Sequence, residues 1–261
     1  MNIAFEKYHG AGNDFIMIEA KDLPGELFTQ NLVKFLCDRH FGIGADGLIL
    51  LLESKNADFR MKYFNSDGKE GTMCGNGGRC ITAFACHKGW IEKKTLFEGI
   101  DGKHEALIND DGKVRLRMID VQDISVLSDG YLIETGSRHF VRFVENIDLI
   151  DVYNQGRKIR HQSRFAPEGT NVNFVKIDSP GQISIRTFER GVENETLACG
   201  TGAVASAISA YMFEKNDISS YAVNVKGGML QVEFSPNNQH LFTKVWLEGP
   251  AEFVYKGIVC I

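Results

Sequence analysis

Two cysteines in this chain stand in the same local sequence and are candidates for acid–base chemistry. Cys74 precedes Gly75-Asn76-Gly77 and Cys199 precedes Gly200-Thr201-Gly202, and each motif opens an apolar stretch that predicts a buried helix. The N-terminus of a helix carries about half a positive charge, and its first N–H groups have no acceptor within the helix. We therefore expect each cysteine to be favoured as a thiolate, with an anion bound on the glycine-flanked amides beside it.

The cysteine motifs are part of a repeat with a displacement of 125 residues. One register aligns Asp14-Phe15-Ile16 with His139-Phe140-Val141, Arg39 with Arg164, Gly44 with Gly169, and the two Cys-Gly-x-Gly motifs with each other. Because the repeat is far too long for a solenoid, it predicts two similar domains that face each other across a cleft. We place the border between them near residue 120.

A duplicated thiol predicts proton transfer at a carbon centre. If a pseudo-twofold axis relates the two domains, Cys74 and Cys199 flank one substrate from opposite sides. An acid on one face of a stereocentre and a base on the other invert its configuration. A cysteine hydrolase instead needs one thiol with a neighbouring histidine as its base. The sequence therefore predicts racemisation or epimerisation.

Polar residues outside the cysteine motifs predict a zwitterionic substrate. Glu189-Arg190 combines a carboxylate that can accept from an ammonium group with a guanidinium that binds a carboxylate through two bonds. Asn13, Asn65 and Asn171 lie in glycine-flanked loops between apolar runs, where their amides can donate and accept. Each asparagine alone also fits a turn, but together with the cysteines they predict substrate contacts.

The composition is typical of a globular protein with a small-molecule partner. The 261 residues are 43% hydrophobic and 24% charged, with a net charge of -5. Such a chain offers no basic surface for nucleic acid or for an anionic membrane. The first residues lack the pattern of a secretory signal and no segment is predicted to span a bilayer, so we expect a cytoplasmic protein.

The remaining cysteines do not predict a metal site. Cys37, Cys80, Cys86 and Cys260 lack the spacing of zinc or Cys-x-x-Cys sites, and we interpret them as small buried apolar residues. Six cysteines are also too few for a disulfide scaffold in a chain of this length.

Hydrophobic periodicity predicts a mixed fold that is richer in strands than in helices. Apolar and polar residues alternate, as in half-buried strands, at 59–63, 114–118, 183–187, 223–225, 232–234 and 245–247. Three helices are predicted, at 30–37 with Thr29 as N-cap, from 76 to before Gly89, and at 201–215. The last two are so apolar that we expect them to be buried.

Four longer motifs resemble those of the diaminopimelate epimerase family and together span nearly the whole chain. They are Lys7-Tyr8-His9-Gly10-Ala11-Gly12-Asn13-Asp14-Phe15, Asn65-Ser66-Asp67-Gly68 leading to Met73-Cys74-Gly75-Asn76-Gly77-Gly78-Arg79-Cys80, Gly169-Thr170-Asn171-Val172, and Glu189-Arg190-Gly191 leading to Glu195-Thr196-Leu197-Ala198-Cys199-Gly200-Thr201-Gly202. The resemblance implies cofactor-independent epimerisation of LL-2,6-diaminopimelate to its meso isomer, a step of lysine and peptidoglycan precursor synthesis.

The resemblance also implies a fold and a set of site residues. The fold is α/β (α+β), with two pseudo-symmetric domains, each a β-barrel-like sheet wrapped around a central helix, and the active site in the cleft between them. The N-terminal domain, 1–120 with about 250–261 returning to it, carries Cys74, and the C-terminal domain, 121–249, carries Cys199. The two cysteines are the bases, and neither metal nor pyridoxal phosphate is needed. The implied substrate contacts are Asn13, Asn65, Gly75, Asn76, Asn171, Glu189, Arg190, Gly200 and Thr201, supported by His139 and Ser137.

Two positions depart from the family's pattern. Family sequences usually read Gly-Asn-Pro-His where this chain has Gly136-Ser137-Arg138-His139, so a shorter hydroxyl beside an extra cation replaces the expected asparagine. Some family members also place a glutamine in the substrate loop where this chain has Gly47. The first departure affects contacts at the far end of the substrate.

Two other functions stay open from the sequence. A proline or hydroxyproline racemase of the same architecture acts on a substrate with one carboxylate, whereas Arg190 and the three loop asparagines favour a substrate with a second polar end. The duplicated cysteines could also form a redox-switch disulfide in a binding protein without turnover. The oligomeric state is open as well, and a homodimer is one option.

Overall fold

The computed structural model describes residues 1–20, 23–24, 27–237 and 241–261, and these residues form two compact units. The N-unit consists of Met1–Leu116 and Gly249–Ile261, and the C-unit of Arg117–Glu248. Both units combine β-strands with α-helices, which confirms the predicted mixed fold class.

The N-unit contains eight strands and two helices in its described residues. They are β1 (Asn2–Gly10), β2 (Asn13–Glu19), α1 (Gln30–Cys37), β3 (Gly47–Leu52), β4 (Phe59–Asn65), α2 (Gly75–His87), β5 (Lys94–Gly99), β6 (Gly102–Ile108), β7 (Val114–Arg117), which ends at the border, and β17 (Glu252–Cys260).

The C-unit contains nine strands and two α-helices in the part that the structure describes, besides a short 3₁₀ helix at Ser163–Phe165. They are β8 (Ile124–Leu127), β9 (Gly130–Glu134), β10 (Arg138–Phe143), α3 (Val152–Arg160), β11 (Asn171–Ser179), β12 (Gln182–Glu189), β13 (Asn194–Thr196), α4 (Gly200–Glu214), β14 (Ser220–Val225), β15 (Gly228–Pro236) and β16 (Phe242–Gly249).

The two units have the same strand pairing. In the N-unit the order is β17, β1, β2, β3, β4, β5, β6, β7, with β2–β3 and β4–β5 parallel and the other neighbours antiparallel. In the C-unit the order is β8, β9, β10, β11, β12, β14, β15, β16, with β10–β11 and β12–β14 parallel and the other neighbours antiparallel. The parallel pairs therefore occur at the same two places in both units.

The register of the strands follows the sequence repeat. Phe15 pairs with Gly47 across β2 and β3, and Phe140 pairs with Val172 across β10 and β11, each 125 residues further on. Gly44 and Gly169 both adopt the left-handed conformation, with φ of 81° and 73°, which glycine adopts without a side-chain clash. The predicted duplication is thus present in the backbone.

α2 and α4 are the central helices of their units. α2 contacts β1, β2, β3 and β6, and α4 contacts β9, β10, β11, β12, β14 and β15. Most residues of both helices are buried, as the sequence predicts. Because strands surround each helix on several sides, apolar residues are required around most of its circumference.

α1 and α3 each pack one face on the core of their unit. α1 contributes Val33 and Leu36 to a cluster with Ile16 and Leu48. Its N-cap is Thr29, as predicted, since the Leu32 N–H donates to the Thr29 hydroxyl at 3.3 Å. α1 therefore matches its sequence prediction from cap to last residue.

The sequence pattern did not predict α3. Its buried residues are Val152, Gly156 and Ile159, so only two apolar side chains mark the inward face. A Cβ at position 156 would lie 2.3 Å from the Cβ of Phe188, so the helix backbone packs directly on that ring. Because Gly156 has no side chain, the inward face of α3 lacks the regular spacing of apolar residues by which a helix is recognised in a sequence.

The prediction that Cys260 is buried is wrong. Cys37 and Cys80 are buried and Cys86 is partly buried, but Cys260 is exposed near the end of β17. β17 pairs with β1 and leaves most of its side chains in solvent. An apolar run therefore does not establish burial when one face of its strand is left uncovered.

Candidate active site

In the N-unit, Cys74 immediately precedes α2 and caps it. The Gly77 N–H donates to the Cys74 sulfur at 3.2 Å, and the Gly78 N–H donates to the Cys74 carbonyl at 2.8 Å. A Cβ at position 77 would lie 3.1 Å from the sulfur, so glycine allows the helix to begin this close to the thiol. The N–H bond and the helix dipole both favour negative charge on the sulfur.

Gly75 and Asn76 occupy the first two positions of α2, whose N–H groups point out of the helix end. The Asn76 amide donates to Asn13 Oδ1 at 3.1 Å and accepts from Arg79 Nη2 at 2.9 Å. The fully buried Arg79 also donates to the carbonyls of Gly75, at 3.1 Å, and Pro250, at 3.3 Å. Arg79 therefore fixes both the start of α2 and the orientation of Asn76.

Asn13 is held from its other side by a cluster of charged residues. Its Nδ2 donates to Asp46 at 2.7 Å, and Arg39 donates to Asp46 and to Asp14, with nearest distances of 2.7 Å to each. The buried Lys7 ammonium lies 2.8 Å from Asp14. Burial opposes ionisation of Asp14, but hydrogen bonds from Arg39 and Lys7 outweigh it and hold the pKa of Asp14 well below its usual range.

Asn65 lies at the same end of the N-unit strands as Asn13. The ladders pair Phe15 with Gly47 and Gly47 with Asn65. The Tyr63 hydroxyl donates to Asn65 Oδ1 at 2.8 Å, and a Cβ at Gly47 would lie 2.6 Å from the Tyr63 ring. Glycine at position 47 therefore makes room for the tyrosine that orients Asn65.

In the C-unit, Cys199 precedes α4 at the position that corresponds to Cys74, but its sulfur has a different partner. Thr201 Oγ1 lies 3.5 Å from the Cys199 sulfur and 2.9 Å from His139 Nε2. Cys199 is buried, and a Cβ at Gly202 would lie 3.3 Å from its sulfur. Gly202 therefore gives α4 room beside Cys199, as Gly77 gives α2 room beside Cys74. A hydroxyl group thus connects this thiol to an imidazole.

Ser137 and Asn171 line the same face of His139. The Ser137 hydroxyl lies 2.9 Å from His139 Nε2 and 3.3 Å from Thr201 Oγ1. Asn171 Nδ2 donates to the Ser137 hydroxyl at 3.3 Å and to the Arg138 carbonyl at 3.1 Å. Serine in place of the family's usual asparagine therefore bonds within the histidine network.

Arg190, which follows Glu189, joins the network through its backbone N–H. Glu189 is the last residue of β12, and the Arg190 N–H donates to Asn171 Oδ1 at 2.8 Å. The Arg190 charge also acts on His139: burial first and this charge second lower the pKa of His139 to about 3. His139 is therefore neutral at physiological pH.

Two residues near His139 were not singled out from the sequence. Asn173 Nδ2 lies 3.0 Å from His139 Nδ1, and Thr187 donates to Asn173 Oδ1 at 2.8 Å. Asn173 is fully buried and Thr187 nearly so. The signal that could have found Asn173 is its spacing of two from Asn171 in β11, which places both amides on one face of a strand.

The structure brings the predicted residues together within each unit. Asn13, Asn76 and Gly75 are linked beside Cys74, and Ser137, His139, Asn171 and Thr201 are linked beside Cys199. Among the described residues, no group of three or more His, Cys, Asp or Glu side chains could hold a metal ion. No helix in those same parts of the chain is long and apolar enough to cross a membrane.

Solved structures share this fold at low sequence identity. A phenazine biosynthesis protein of the PhzF family from Bacillus anthracis superposes with a TM-score of 0.80 at 17% identity and covers 100% of both chains. A probable proline racemase from Agrobacterium radiobacter superposes with a TM-score of 0.70 at 17% identity, over 99% of this chain and 93% of that one. These likenesses establish the fold alone.

Sequence comparison identifies the family. The protein from Flavobacterium psychrophilum named diaminopimelate epimerase is 48% identical over 253 residues, covering 97% of this chain and 98% of the relative. The one from Chlorobaculum tepidum with the same name is 46% identical and covers 97% and 99%. The sequence profile described as Diaminopimelate epimerase matches residues 5–123 and 131–254. The chain therefore belongs to the diaminopimelate epimerase family.

Proposed function

We propose that this protein interconverts LL- and meso-2,6-diaminopimelate by a cofactor-free two-base epimerisation with Cys74 and Cys199 as acid and base. Membership of the family, with relatives that carry this activity in their names, supports the reaction and the substrate. The observation that supports the mechanism is a duplicated motif. In each unit a cysteine directly precedes a buried helix, and the first and third residues of that helix are glycines.

The proposed reaction needs no redox partner because atoms and electrons balance between the substrate and two sulfurs. One cysteine, as the thiolate, removes the α-proton, and the electron pair of the broken C–H bond delocalises into the adjacent carboxylate. The other cysteine, as the thiol, delivers its proton to the opposite face of the same carbon. The configuration is inverted, and the two cysteines have exchanged protonation states.

The energetic demand of this reaction is the negative charge that develops on the carboxylate. Gly75 and Asn76 open one helix, and Gly200 and Thr201 open the other. Their N–H groups lie where helix geometry leaves donors without an intrahelical acceptor, and donors placed in advance at developing charge lower the barrier. We assign the carboxylate at the reacting carbon to these amides.

The remaining polar residues are assigned to the rest of the zwitterion. Asn13 and Asn65 of the N-unit and Asn171 of the C-unit are held by hydrogen bonds that fix which amide atom each presents. Glu189 is assigned to the ammonium group and Arg190 to a carboxylate. Ser137 is assigned to the His139 network rather than to the far end of the substrate.

The test is proton NMR of LL-diaminopimelate incubated with the protein in deuterated water. Loss of the α-proton signal together with appearance of the meso isomer is expected for the wild type, and both Cys74→Ala and Cys199→Ala abolish it. Cys260→Ala is the matched control, because Cys260 is an exposed cysteine outside both half-sites, the residues around Cys74 in the N-unit and those around Cys199 in the C-unit. No exchange by the reduced wild-type protein would overturn the proposal.

Two alternatives give different results in this assay. A proline or hydroxyproline racemase exchanges the α-proton of those cyclic amino acids and leaves diaminopimelate unlabelled. A redox-switch binding protein binds its ligand equally well with serine at positions 74 and 199 and never releases an α-proton to solvent.

Two further properties belong to the proposal. Six cysteines are too few for a disulfide scaffold in a chain of 261 residues, so we place the protein in the cytoplasm. A homodimer is the oligomeric state that we propose, and light scattering after size-exclusion chromatography distinguishes it from a monomer of 29.1 kDa.

A further inference from the structure

His139 is fully buried, and its two ring nitrogens meet different groups. Nε2 faces the hydroxyls of Ser137 and Thr201, each at 2.9 Å, and Asn171 Nδ2 at 3.5 Å. Nδ1 faces the amide of Asn173 at 3.0 Å. The hydroxyls can donate or accept, and the Asn171 NH₂ group donates to the Ser137 hydroxyl at 3.3 Å and to the Arg138 carbonyl at 3.1 Å. The Asn173 amide, 3.0 Å from Nδ1, therefore decides which nitrogen carries the proton.

The orientation of the Asn173 amide follows from its other neighbours. The Phe140 carbonyl, which can only accept, lies 3.5 Å from Nδ2, so the NH₂ group must be on that side. On the opposite side, Thr187 donates its hydroxyl to Asn173 Oδ1 at 2.8 Å. Asn173 therefore presents an N–H, and not a carbonyl oxygen, to His139 Nδ1.

A donor facing Nδ1 requires that nitrogen to be the acceptor, so the ring proton lies on Nε2. We propose that Asn173 and Thr187 are positioning residues that hold His139 as the Nε2–H tautomer, making it a hydrogen-bond donor to Thr201 and not a base for Cys199. The inference rests on the proposed acid–base function of Cys199. It assigns a role to two residues outside the set of substrate contacts.

The tautomer determines what the Thr201 hydroxyl can do. When His139 Nε2–H donates to Thr201 Oγ1, the hydroxyl proton of Thr201 is directed away from the ring. The Cys199 sulfur lies 3.5 Å from this oxygen and can accept that proton as a hydrogen bond when it is a thiolate. The Nδ1 lone pair of His139 then accepts from Asn173 and its Nε2–H donates to Thr201, so a proton taken from the substrate stays on sulfur.

The charges around His139 agree with a ring that stays neutral. Burial disfavours an imidazolium most, and the positive charge of Arg190 disfavours it further. A neutral ring cannot act as the acid that reprotonates substrate, and a ring whose Nδ1 is occupied cannot accept the thiol proton. The two protonation states of Cys199 are thus kept independent of the histidine.

The first experiment measures the tautomer directly in the wild-type protein. Long-range ¹H–¹⁵N correlation spectra of protein labelled with ¹⁵N-histidine distinguish the two tautomers and the imidazolium, and His139→Gln identifies the signals of His139. The expected result is the Nε2–H tautomer throughout pH 5–9. The Nδ1–H tautomer, or an imidazolium at neutral pH, would overturn the proposal.

The second experiment tests the positioning residues through the same spectra and through kinetics. Asn173→Asp replaces the donor by an acceptor, so the His139 proton moves to Nδ1 and the pH profile of kcat gains a limb between about pH 5 and 8. Thr187→Val lets the Asn173 amide reorient and is expected to lower kcat about tenfold with KM within about twofold. Unchanged tautomer and kinetics in both variants would contradict the proposal.

Thr95→Val is the matched control for Thr187→Val. Thr95 is also buried on a strand, and its hydroxyl donates to Asp58 at 3.0 Å in the N-unit, without contact to His139. It is expected to lower stability without changing kcat or the tautomer. Because the spectra need no substrate, a failed tautomer assignment is distinguishable from a failed reaction assignment, which appears as wild-type protein that exchanges no α-proton.

Discussion

Replacing Asp14 by asparagine is expected to destabilise the N-unit because it leaves a buried lysine without its counter-charge. The Lys7 ammonium lies 2.8 Å from Asp14, and the two side chains are only 6% and 17% exposed. Asparagine keeps a carbonyl oxygen of the same size but removes the negative charge. Arg39 retains Asp46 as a partner, so the uncompensated charge is that of Lys7.

The size of the effect follows from this geometry. Removing one partner of a buried ion pair costs about 3–5 kcal/mol. The amide oxygen of asparagine can still accept from Lys7 or from the Asp46 N–H, which bonds to Asp14 at 3.0 Å, so we expect the lower end, about 3 kcal/mol. At about 2–4 °C per kcal/mol for a chain of this size, the melting temperature falls by about 9 °C.

Urea unfolding followed by circular dichroism measures this change. Asp110→Asn is the control, because it removes a carboxylate from the exposed Lys93–Asp110 pair and leaves the unfolding midpoint unchanged. The double variant Lys7→Met/Asp14→Asn removes both charges and is expected to be more stable than Asp14→Asn alone. A loss below about 1 kcal/mol for Asp14→Asn, or a double variant less stable than the single one, would refute the reasoning.

Three further predictions concern caps, glycines and pH. Thr29→Ala removes the N-cap of α1 and is expected to cost about 1 kcal/mol in thermal unfolding with the rate of α-proton exchange unchanged. Gly77→Ala places a Cβ 3.1 Å from the Cys74 sulfur, and Gly202→Ala places one 2.6 Å from Asn173 Oδ1 and 3.3 Å from the Cys199 sulfur, so each is expected to slow α-proton exchange. Gly112→Ala, where nothing lies within 4 Å of the added Cβ, costs stability through its φ of 83° but retains exchange. The pKa of His139 is lowered to about 3, so between that value and about 6.5 the unfolded chain binds a proton that the folded protein does not. Stability therefore falls as the pH drops through this window, and urea unfolding of His139→Gln is expected to show a shallower dependence.

The elements that carry the proposed chemistry could be predicted because their sequence signals are local. The Cys-Gly-x-Gly motifs predicted both central helices to within one residue of their starts, since a cap and the first apolar turn are adjacent in the chain. The duplication was also visible, because it conserves residue types at a constant displacement. Both the helix starts and the repeat can therefore be recognised from short sequence segments alone.

The residues that could not be predicted act across strands that are distant in the chain. Asn173 reaches His139 only because β10 and β11 pair in parallel, and Asp46 reaches Asn13 through the corresponding pairing of β2 and β3. Arg79 binds Pro250, 171 residues away. α3 was missed for a related reason, since its glycine is explained by Phe188, which lies on another element.

The repeat keeps the backbone of the two half-sites and changes their charge. Asp14 and Asp46 of the N-unit, bound to Lys7 and Arg39, correspond at a displacement of 125 residues to the neutral pair His139 and Asn171. Both thiols lie at the start of a buried helix, so the side chains around them are what distinguishes them. Under the proposed mechanism each thiol is the base in one direction and the acid in the other, and therefore Asp46→Asn and Asn173→Ala are each expected to slow epimerisation in both directions. Deuterium uptake into product, followed separately from LL- and from meso-diaminopimelate, measures these rates, and a wild-type rate in either variant would show that the substituted residue does not support the thiol of its own unit.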